Sequence, residues 1–239
     1  MNVAILLAGG VGTRAGFDKP KQFVEVLGRP MIAYTIDAFQ NHNDVDAIEI
    51  VCIESHMDLM RNIVSSGEFT KVRWICEGGA TFQDSVINGL ENLRNEIDGS
   101  DQVLIHYGDS PMVSGDIIAD AIAVCGKHGN ASPAMSQVYL AAAREDGMST
   151  TTFIDRDEVM VLNAPQAMRF DYALWIYDQG RKRGLLDKVD PHTVPLMLAL
   201  GERVWFSKSS TMNVKLTEPE DFLLFEGWLL AKQRHSTTT

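Results

Sequence analysis

Short runs of Val, Ile and Leu recur along the first half of the chain, each followed by a stretch whose apolar residues return at helical spacing. The runs predict strands over residues 2–7, 48–53, 72–76 and 103–106, and the intervening patterns predict helices over 30–40, 56–65, 82–93 and 115–128. Strand alternating with helix in this way predicts an α/β fold, a mostly parallel sheet with helices on both faces. Ligands of such sheets lie beyond the carboxyl ends of the strands, which directs attention to the loops at 8–22, 77–81 and 107–113.

The rhythm changes after about residue 131. Residues 134–143 and 151–162 read as two strands of a hairpin around a polar turn at 144–149, a β-arm that leaves the main body. A helix is predicted over 171–183, a shorter one before Gly201 and a strand over 204–207. The last helix has the clearest start: Thr217-Glu-Pro-Glu220 offers an N-cap Thr, a Pro in the first turn and a capping-box Glu, and the helix should run to about 232, with the residues from His235 onward frayed. Without repeats or low-complexity linkers, 1–239 reads as a single domain with its arm at about 134–162.

With 45% hydrophobic and 22% charged residues the chain can bury one substantial core. Its only apolar start, Val3 to Ala8, is far too short for a signal segment or a membrane span, and a soluble cytoplasmic protein is expected. Cys52, Cys76 and Cys125 are odd in number and widely spaced in apolar surroundings, so they read as small core residues rather than a disulfide or metal framework. Trp74, Trp175, Trp205 and Trp228 likewise suggest packing. His42, His56, His128 and His192 lack metal-ligand spacing and suit exposed helix or turn positions, whereas His106 ends an apolar strand as a hydrogen-bonded core histidine would. A formal charge of −11 argues against nucleic acid or an anionic membrane as partner. An anionic small molecule would then have to be met by a few Lys and Arg placed beside glycine.

Such a place exists. Leu7-Ala-Gly-Gly-Val-Gly-Thr-Arg-Ala-Gly16 follows a predicted strand, and its glycines let backbone N–H groups approach an anion without Cβ interference. Arg14, and Lys21 within Lys19-Pro-Lys-Gln22, add the fixed positive charge that a phosphate-transfer site needs. Two other readings stand beside this one. The loop can be a plain glycine turn with solvated basic residues. It can also open a dinucleotide fingerprint, for which Gly10-Val-Gly12 and Glu54 fit, but Ala15 holds the third glycine position and Pro20 with two lysines occupies the stretch where the helix should run. The absence of a GK[ST] sequence rules out a Walker loop.

The opening LAGGxGTRxG followed by PKQF resembles that of the cytidylyltransferases that make CDP-methylerythritol and CDP-ribitol, members of the nucleoside-diphospho-sugar transferase superfamily. Further landmarks follow in the same order. Gly78-Gly-Ala-Thr-Phe-Gln-Asp-Ser85-Val-Ile-Asn-Gly-Leu90 is similar to the family's cytosine-binding segment, Val103-Leu-Ile-His106 to the strand before its HDxxRP motif, Ala164-Pro-Gln166 to its TPQ, and Asn213-Val-Lys-Leu-Thr-Glu-Pro-Glu-Asp221 to its NIKxTxPED. The resemblance spans residues 3–230 and implies a Rossmann-like sheet with a protruding β-arm. It implies that Arg14 and Lys21 grip the triphosphate of CTP and stabilise the crowded α-phosphorus, that Lys215 positions the attacking phosphate, and that Leu7, Ala8, Gly9, Gly10, Gly12, Gly79, Ala80 and Ser85 hold the nucleotide. Mg²⁺ is the implied cofactor, CTP and a small polyol phosphate the implied substrates, and a homodimer with exchanged arms the implied assembly.

Departures from the family pattern gather on the acceptor side. Tyr107 stands where the family has its metal-binding Asp, Ser110 replaces an Arg, Phe82 replaces the Arg of the cytosine segment, and Ala164 replaces the Thr of TPQ. Asp109 can supply the metal carboxylate instead, since alternation along an extended segment leaves it on the same side as Tyr107; it reads equally as a turn residue in Gly-Asp-Ser-Pro. Arg156 matches an arm arginine that, in the family, crosses to the neighbouring subunit and binds the acceptor's phosphate, and it reads as well as a solvated turn charge. With the triphosphate loop intact and the acceptor side altered, the reading is cytidylyl transfer to ribitol 5-phosphate or a glycerol phosphate for cell-surface polymer synthesis. The alternatives are transfer to 2-C-methyl-D-erythritol 4-phosphate, a non-catalytic nucleotide-binding descendant, and a nicotinamide-dependent reductase.

Overall fold

The computed structural model describes residues 1–10 and 19–236, with side chains described as far as Arg234. In chain order the elements are β1 (Asn2–Ala8), β2 (Glu25–Val26), β3 (Arg29–Pro30), α1 (Met31–Gln40), β4 (Ala47–Cys52), α2 (Met57–Ser66), β5 (Val72–Glu77), α3 (Phe82–Asn92), β6 (Gln102–Tyr107), α4 (Gly115–His128), β7 (Asn130–Ser136), β8 (Ala141–Ala142), β9 (Phe153–Ile154), β10 (Met160–Leu162), β11 (Gln166–Arg169), α5 (Phe170–Lys182), α6 (Thr193–Ala199), β12 (Phe206–Ser207) and α7 (Pro219–Ser236).

The main sheet runs β10-β7-β11-β6-β1-β4-β5, with β12 beside β7. Strands β6, β1, β4 and β5 are mutually parallel, while β11 runs antiparallel to both β6 and β7. This is the mostly parallel α/β sheet expected. Its central strands are apolar at nearly every position because both faces are covered. One face sends Ala4, Leu6, Ile48 and Ile50 into a core with α1, α2 and α4, and the other sends Val3, Ile5, Val103 and Ile105 against α3, α5 and α6. A third cluster seats Phe222 and Phe225 of α7 on Met31, Met112 and Leu216, so the C-terminal helix ties the loop regions after β1 and β6 together.

The arm is present: β7 pairs with β10 from Ala134↔Leu162 to Ser136↔Met160, and farther out β8 pairs with β9 at Ala141↔Ile154 and Ala142↔Phe153. Tyr139, Leu140, Met148 and Phe153 on it are strongly exposed.

Several local expectations change. Residues 166–169 form a strand, β11, which the sequence pattern did not reveal because it passes straight into α5 without a turn residue. In the first turn of α7 the capping acid is Asp221, which accepts the N–H groups of Thr217 and Glu218 at 2.7 and 2.9 Å, so Glu220 does not take that role. Of the tryptophans, Trp175 is exposed and Trp74, Trp205 and Trp228 are half-buried; they cover the rim of the core, Trp205 stacked on His128 with ring centroids 3.8 Å apart. His42, His56, His128 and His192 are half-buried with local partners rather than exposed, for example His42 Nε2 3.0 Å from the Gly115 carbonyl. Cys52 and Cys125 are buried and Cys76 half-buried, and none forms a disulfide. No helix among the described residues is long and apolar enough to cross a membrane.

Candidate active site

From β1 the chain moves outward to β4 and β5 before returning to β6 on the other side of β1. The loops that follow β1 and β6 therefore part in opposite directions, and the crevice between them is where such sheets bind ligands. A cavity of about 450 Å³ lies there, lined by Leu7, Gly9, Gly10, Ile53, Gly79, Ala80, Thr81, Phe82, Ser85, Tyr107, Asp109 and Lys215. Eight of the site residues singled out in the sequence thus meet around one cavity: Leu7, Gly9, Gly10, Gly79, Ala80, Ser85, Asp109 and Lys215. Gly12 and Arg14 lie outside the described residues.

The loops are held from behind. The buried Gln22 amide donates to the carbonyls of Ala8 and Gly10, both at 2.8 Å, and so fixes the path of the chain leaving β1. Its place in the PKQF motif was the available signal, but the motif alone does not disclose this clamping role. Across the cavity, Thr81 and Asp84 form a reciprocal capping box that starts α3. Ser85 Oγ accepts the Gly79 N–H and donates to the Thr81 carbonyl, each at 3.0 Å. The Ser85 hydroxyl thereby shapes the Gly78–Gly79 turn. At Gly79 a Cβ would sit 2.2 Å from Asp84 Cβ, so only glycine permits this close approach of turn and helix.

Strand β6 ends at Tyr107, and a turn closed by the Ser110 N–H on the Tyr107 carbonyl at 3.1 Å brings Asp109 to the cavity. Asp109 arrives by this turn and not by strand alternation. Gly108 makes the turn possible, since a Cβ there would lie 2.9 Å from the Leu7 carbonyl oxygen. The Asp109 carboxylate pairs with Lys21 at 2.6 Å, and both side chains are nearly buried at 11% and 10% exposure. Lys21 Nζ also donates to the Leu216 carbonyl at 2.8 Å, and the Leu216 N–H donates to the Asp109 carbonyl at 2.8 Å. Segments at 21, 109 and 216 are therefore knotted together around one ion pair. Among the described residues two of the three N–H groups of the Lys21 ammonium have acceptors.

Beside this pair stands an aromatic wall. Tyr107 contacts Phe82 with ring centroids 5.7 Å apart and His192 edge-on at 5.8 Å, while Phe82 and His192 are 4.9 Å apart. Lys215 Nζ lies over the Tyr107 ring, 4.3 Å from its centroid. Burial foremost, then the charges of Asp109 and Asp190, push the Tyr107 hydroxyl well above the ordinary phenol range, so it stays protonated. His192, held by Asp190, belongs to this wall although its sequence context suggested nothing. His106 is the core histidine expected: fully buried, its Nε2 donating to the Ser110 carbonyl at 3.0 Å, with a pKa lowered to about 4 chiefly by burial. The APQ and NVK landmarks meet directly, Asn213 Nδ2 donating to the Ala164 carbonyl at 2.6 Å. Arg156 sits apart, on the arm, with its guanidinium donating to the Val138 carbonyl at 3.3 Å.

A larger cleft of about 540 Å³ opens near the start of β6, at the other end of the strands, between Arg169, Trp175 and Trp205. Its aromatic faces are already taken: Trp205 carries His128 as well as the Arg203 guanidinium at 5.6 Å, and Trp175 stacks on Tyr172.

The sequence profile of the IspD family, described as 2-C-methyl-D-erythritol 4-phosphate cytidylyltransferase, matches residues 2–231. The chain belongs to this family. Within it, the chain is 33% identical over 238 residues to a ribitol-5-phosphate cytidylyltransferase of Lacticaseibacillus paracasei, an alignment that covers 98% of this chain and 100% of that protein. It is 35% identical over 228 residues to a 2-C-methyl-D-erythritol 4-phosphate cytidylyltransferase of Clostridium acetobutylicum, covering 95% and 96%. The fold matches that of 4-diphosphocytidyl-2C-methyl-D-erythritol synthase from Anaerococcus prevotii with a TM-score of 0.79 over 96% of this chain and 98% of that one, at 21% identity. The cavity is thus lined by glycine-rich turns, Lys215 and an Asp109 paired with Lys21, with Tyr107 and Phe82 in its wall.

Proposed function

We propose that this family member transfers the cytidylyl group of CTP to ribitol 5-phosphate, giving CDP-ribitol and pyrophosphate. The observation that carries the reading is the cavity at the switch point, where two glycine turns, Lys215 and Asp109 with its partner Lys21 converge next to an aromatic wall. Ribitol-5-phosphate cytidylyltransferases are among the relatives that align along 95% or more of the chain. An oxygen of the acceptor's phosphate attacks the α-phosphorus of CTP, the bond from that phosphorus to the bridging oxygen breaks, and pyrophosphate leaves with the electron pair. The acceptor phosphate is already ionised, so alignment and charge neutralisation are the enzyme's tasks and no protein nucleophile is required. In this scheme the backbone N–H groups of Gly9, Gly10 and Ala80 receive the nucleotide, Arg14 and Lys21 face the triphosphate, and Lys215 faces the incoming phosphate.

Mg²⁺ fits the donor set. It binds nucleotides through one or two carboxylates and the phosphate oxygens, and Asp109 lines the cavity with a carboxylate while no trio of ligating side chains exists among the described residues. When bound, the ion would be held by Asp109 and would offset charge on the phosphates. The exposed apolar arm supports a homodimer in which Arg156 reaches the partner's site, and the product would serve cell-surface polymer synthesis in the cytoplasm. One competition decides the acceptor: CTP and Mg²⁺ with equimolar ribitol 5-phosphate, glycerol 3-phosphate and 2-C-methyl-D-erythritol 4-phosphate, with products resolved by mass. CDP-ribitol should dominate; predominance of either other product refutes the assignment.

A further inference from the structure

The backbone on either side of Lys215 is fixed: Asn213 is fully buried and bonded to Ala164, and Leu216 is fully buried with its N–H on Asp109. A lysine side chain nevertheless keeps four rotatable bonds, and a pinned backbone does not place its ammonium. The Tyr107 ring face lies under it at 4.3 Å, within the range of a cation–π contact. The ring is itself braced, by Phe82 from the first turn of α3 and edge-on by His192 from the residue before α6, so two other segments set its plane. We infer that Tyr107 is a positioning residue for Lys215, acting through its ring face rather than its hydroxyl. The role assigned to Lys215 rests on the proposed cytidylyl transfer; the contact itself does not.

The test compares Tyr107→Leu, Tyr107→Phe, Lys215→Ala and the double variant Tyr107→Leu/Lys215→Ala in steady-state assays with CTP and ribitol 5-phosphate, with thermal melting to verify folding. Loss of the ring should lower kcat by about tenfold, the scale of one partly desolvated cation–π contact, with KM for CTP within about twofold. Tyr107→Phe, which keeps the ring, should recover most of that loss. In the Lys215→Ala background, loss of the ring should have little further effect. The idea is overturned if the losses multiply, or if Tyr107→Phe is as impaired as Tyr107→Leu. A second readout needs no turnover: lysines are reductively methylated with ¹³C, and the Lys215 resonance is assigned with Lys215→Arg. Its methyl signals should be shifted upfield by the ring current in the unaltered protein and in Tyr107→Phe, and should return to the ordinary position in Tyr107→Leu. An unshifted Lys215 signal in the unaltered protein refutes the inference, whereas a shifted signal with no turnover on any polyol phosphate refutes the transfer reading alone.

Discussion

Replacing Asp109 with Ala leaves the Lys21 ammonium in a nearly buried position with the Leu216 carbonyl as its remaining described partner. Removing one member of a buried pair typically costs about 3–5 kcal/mol, because the surviving charge has lost both water and counter-charge. Here the lower end applies, since Leu216 stays in place and the side chains keep about a tenth of their exposure. A loss of about 3 kcal/mol in a chain of this size corresponds to a fall in Tm of roughly 6–12 °C. The double variant Lys21→Met/Asp109→Ala removes both charges and keeps an unbranched apolar chain, so most of the lost stability should return. Activity should not return with it, because Lys21 is then absent. Melting curves of the two single variants and the double variant form a cycle that isolates the pair. If Asp109→Ala melts within about 2 °C of the unaltered protein, or if the double variant melts lower still, the pair does not hold the three segments together as argued.

Two buried groups titrate in opposite senses. Glu49 is fully buried, accepts one bond from Asn92 at 2.7 Å and has its pKa raised to about 8 by burial, so its contribution is complete below its unfolded pKa and is lost as pH rises through about 8. His106, lowered to about 4, contributes fully above its unfolded pKa near 6.5, and that contribution is lost as pH falls through about 4. Urea unfolding should show these two slopes nearly cancelling between pH 5 and 6, and stability falling by roughly 1–2 kcal/mol between pH 6.5 and 8; in Glu49→Gln that fall should vanish and an acid-side loss of roughly 3 kcal/mol between pH 6.5 and 4 should emerge. An unchanged pH profile in Glu49→Gln would show that Glu49 is ionised in the fold. Gly79→Ala places a methyl group 2.2 Å from Asp84 Cβ and must displace either the turn or the capping box. Calorimetric titration should then find CTP affinity weakened by at least about tenfold, and undiminished affinity would remove Gly79 from the nucleotide site.

The scaffold was legible because its signals are local. Fully apolar strand runs such as Val3–Ala8 and the helical spacing of α1 and α4 do not depend on distant partners. The glycine turns were legible too, since their chemistry sits in consecutive residues. What the pattern could not disclose depends on long-range meeting. Lys21 and Asp109 are far apart in sequence, and their ion pair exists because α7 and its leading segment draw the loops after β1 and β6 together. His192 reaches the aromatic wall from a loop with no motif, and Gln22 shows its role only once the Ala8 and Gly10 carbonyls are seen to converge on it. Glu49 interrupts an apolar strand as a solvent-facing residue would, yet the parallel sheet is covered on both faces and encloses it. Asp221 displaced Glu220 as the capping acid because helix α7 begins at Pro219, later than the Thr217 signal suggested.

The most direct test of the account is pyrophosphate release from CTP and Mg²⁺ on addition of ribitol 5-phosphate, measured in the unaltered enzyme and in Lys21→Ala with the fold of each verified by circular dichroism. Stoichiometric pyrophosphate and CDP-ribitol from the unaltered enzyme, with turnover abolished in a folded Lys21→Ala, is the result predicted. Normal turnover in Lys21→Ala, or no pyrophosphate from the unaltered enzyme with any polyol phosphate while CTP still binds, would contradict it.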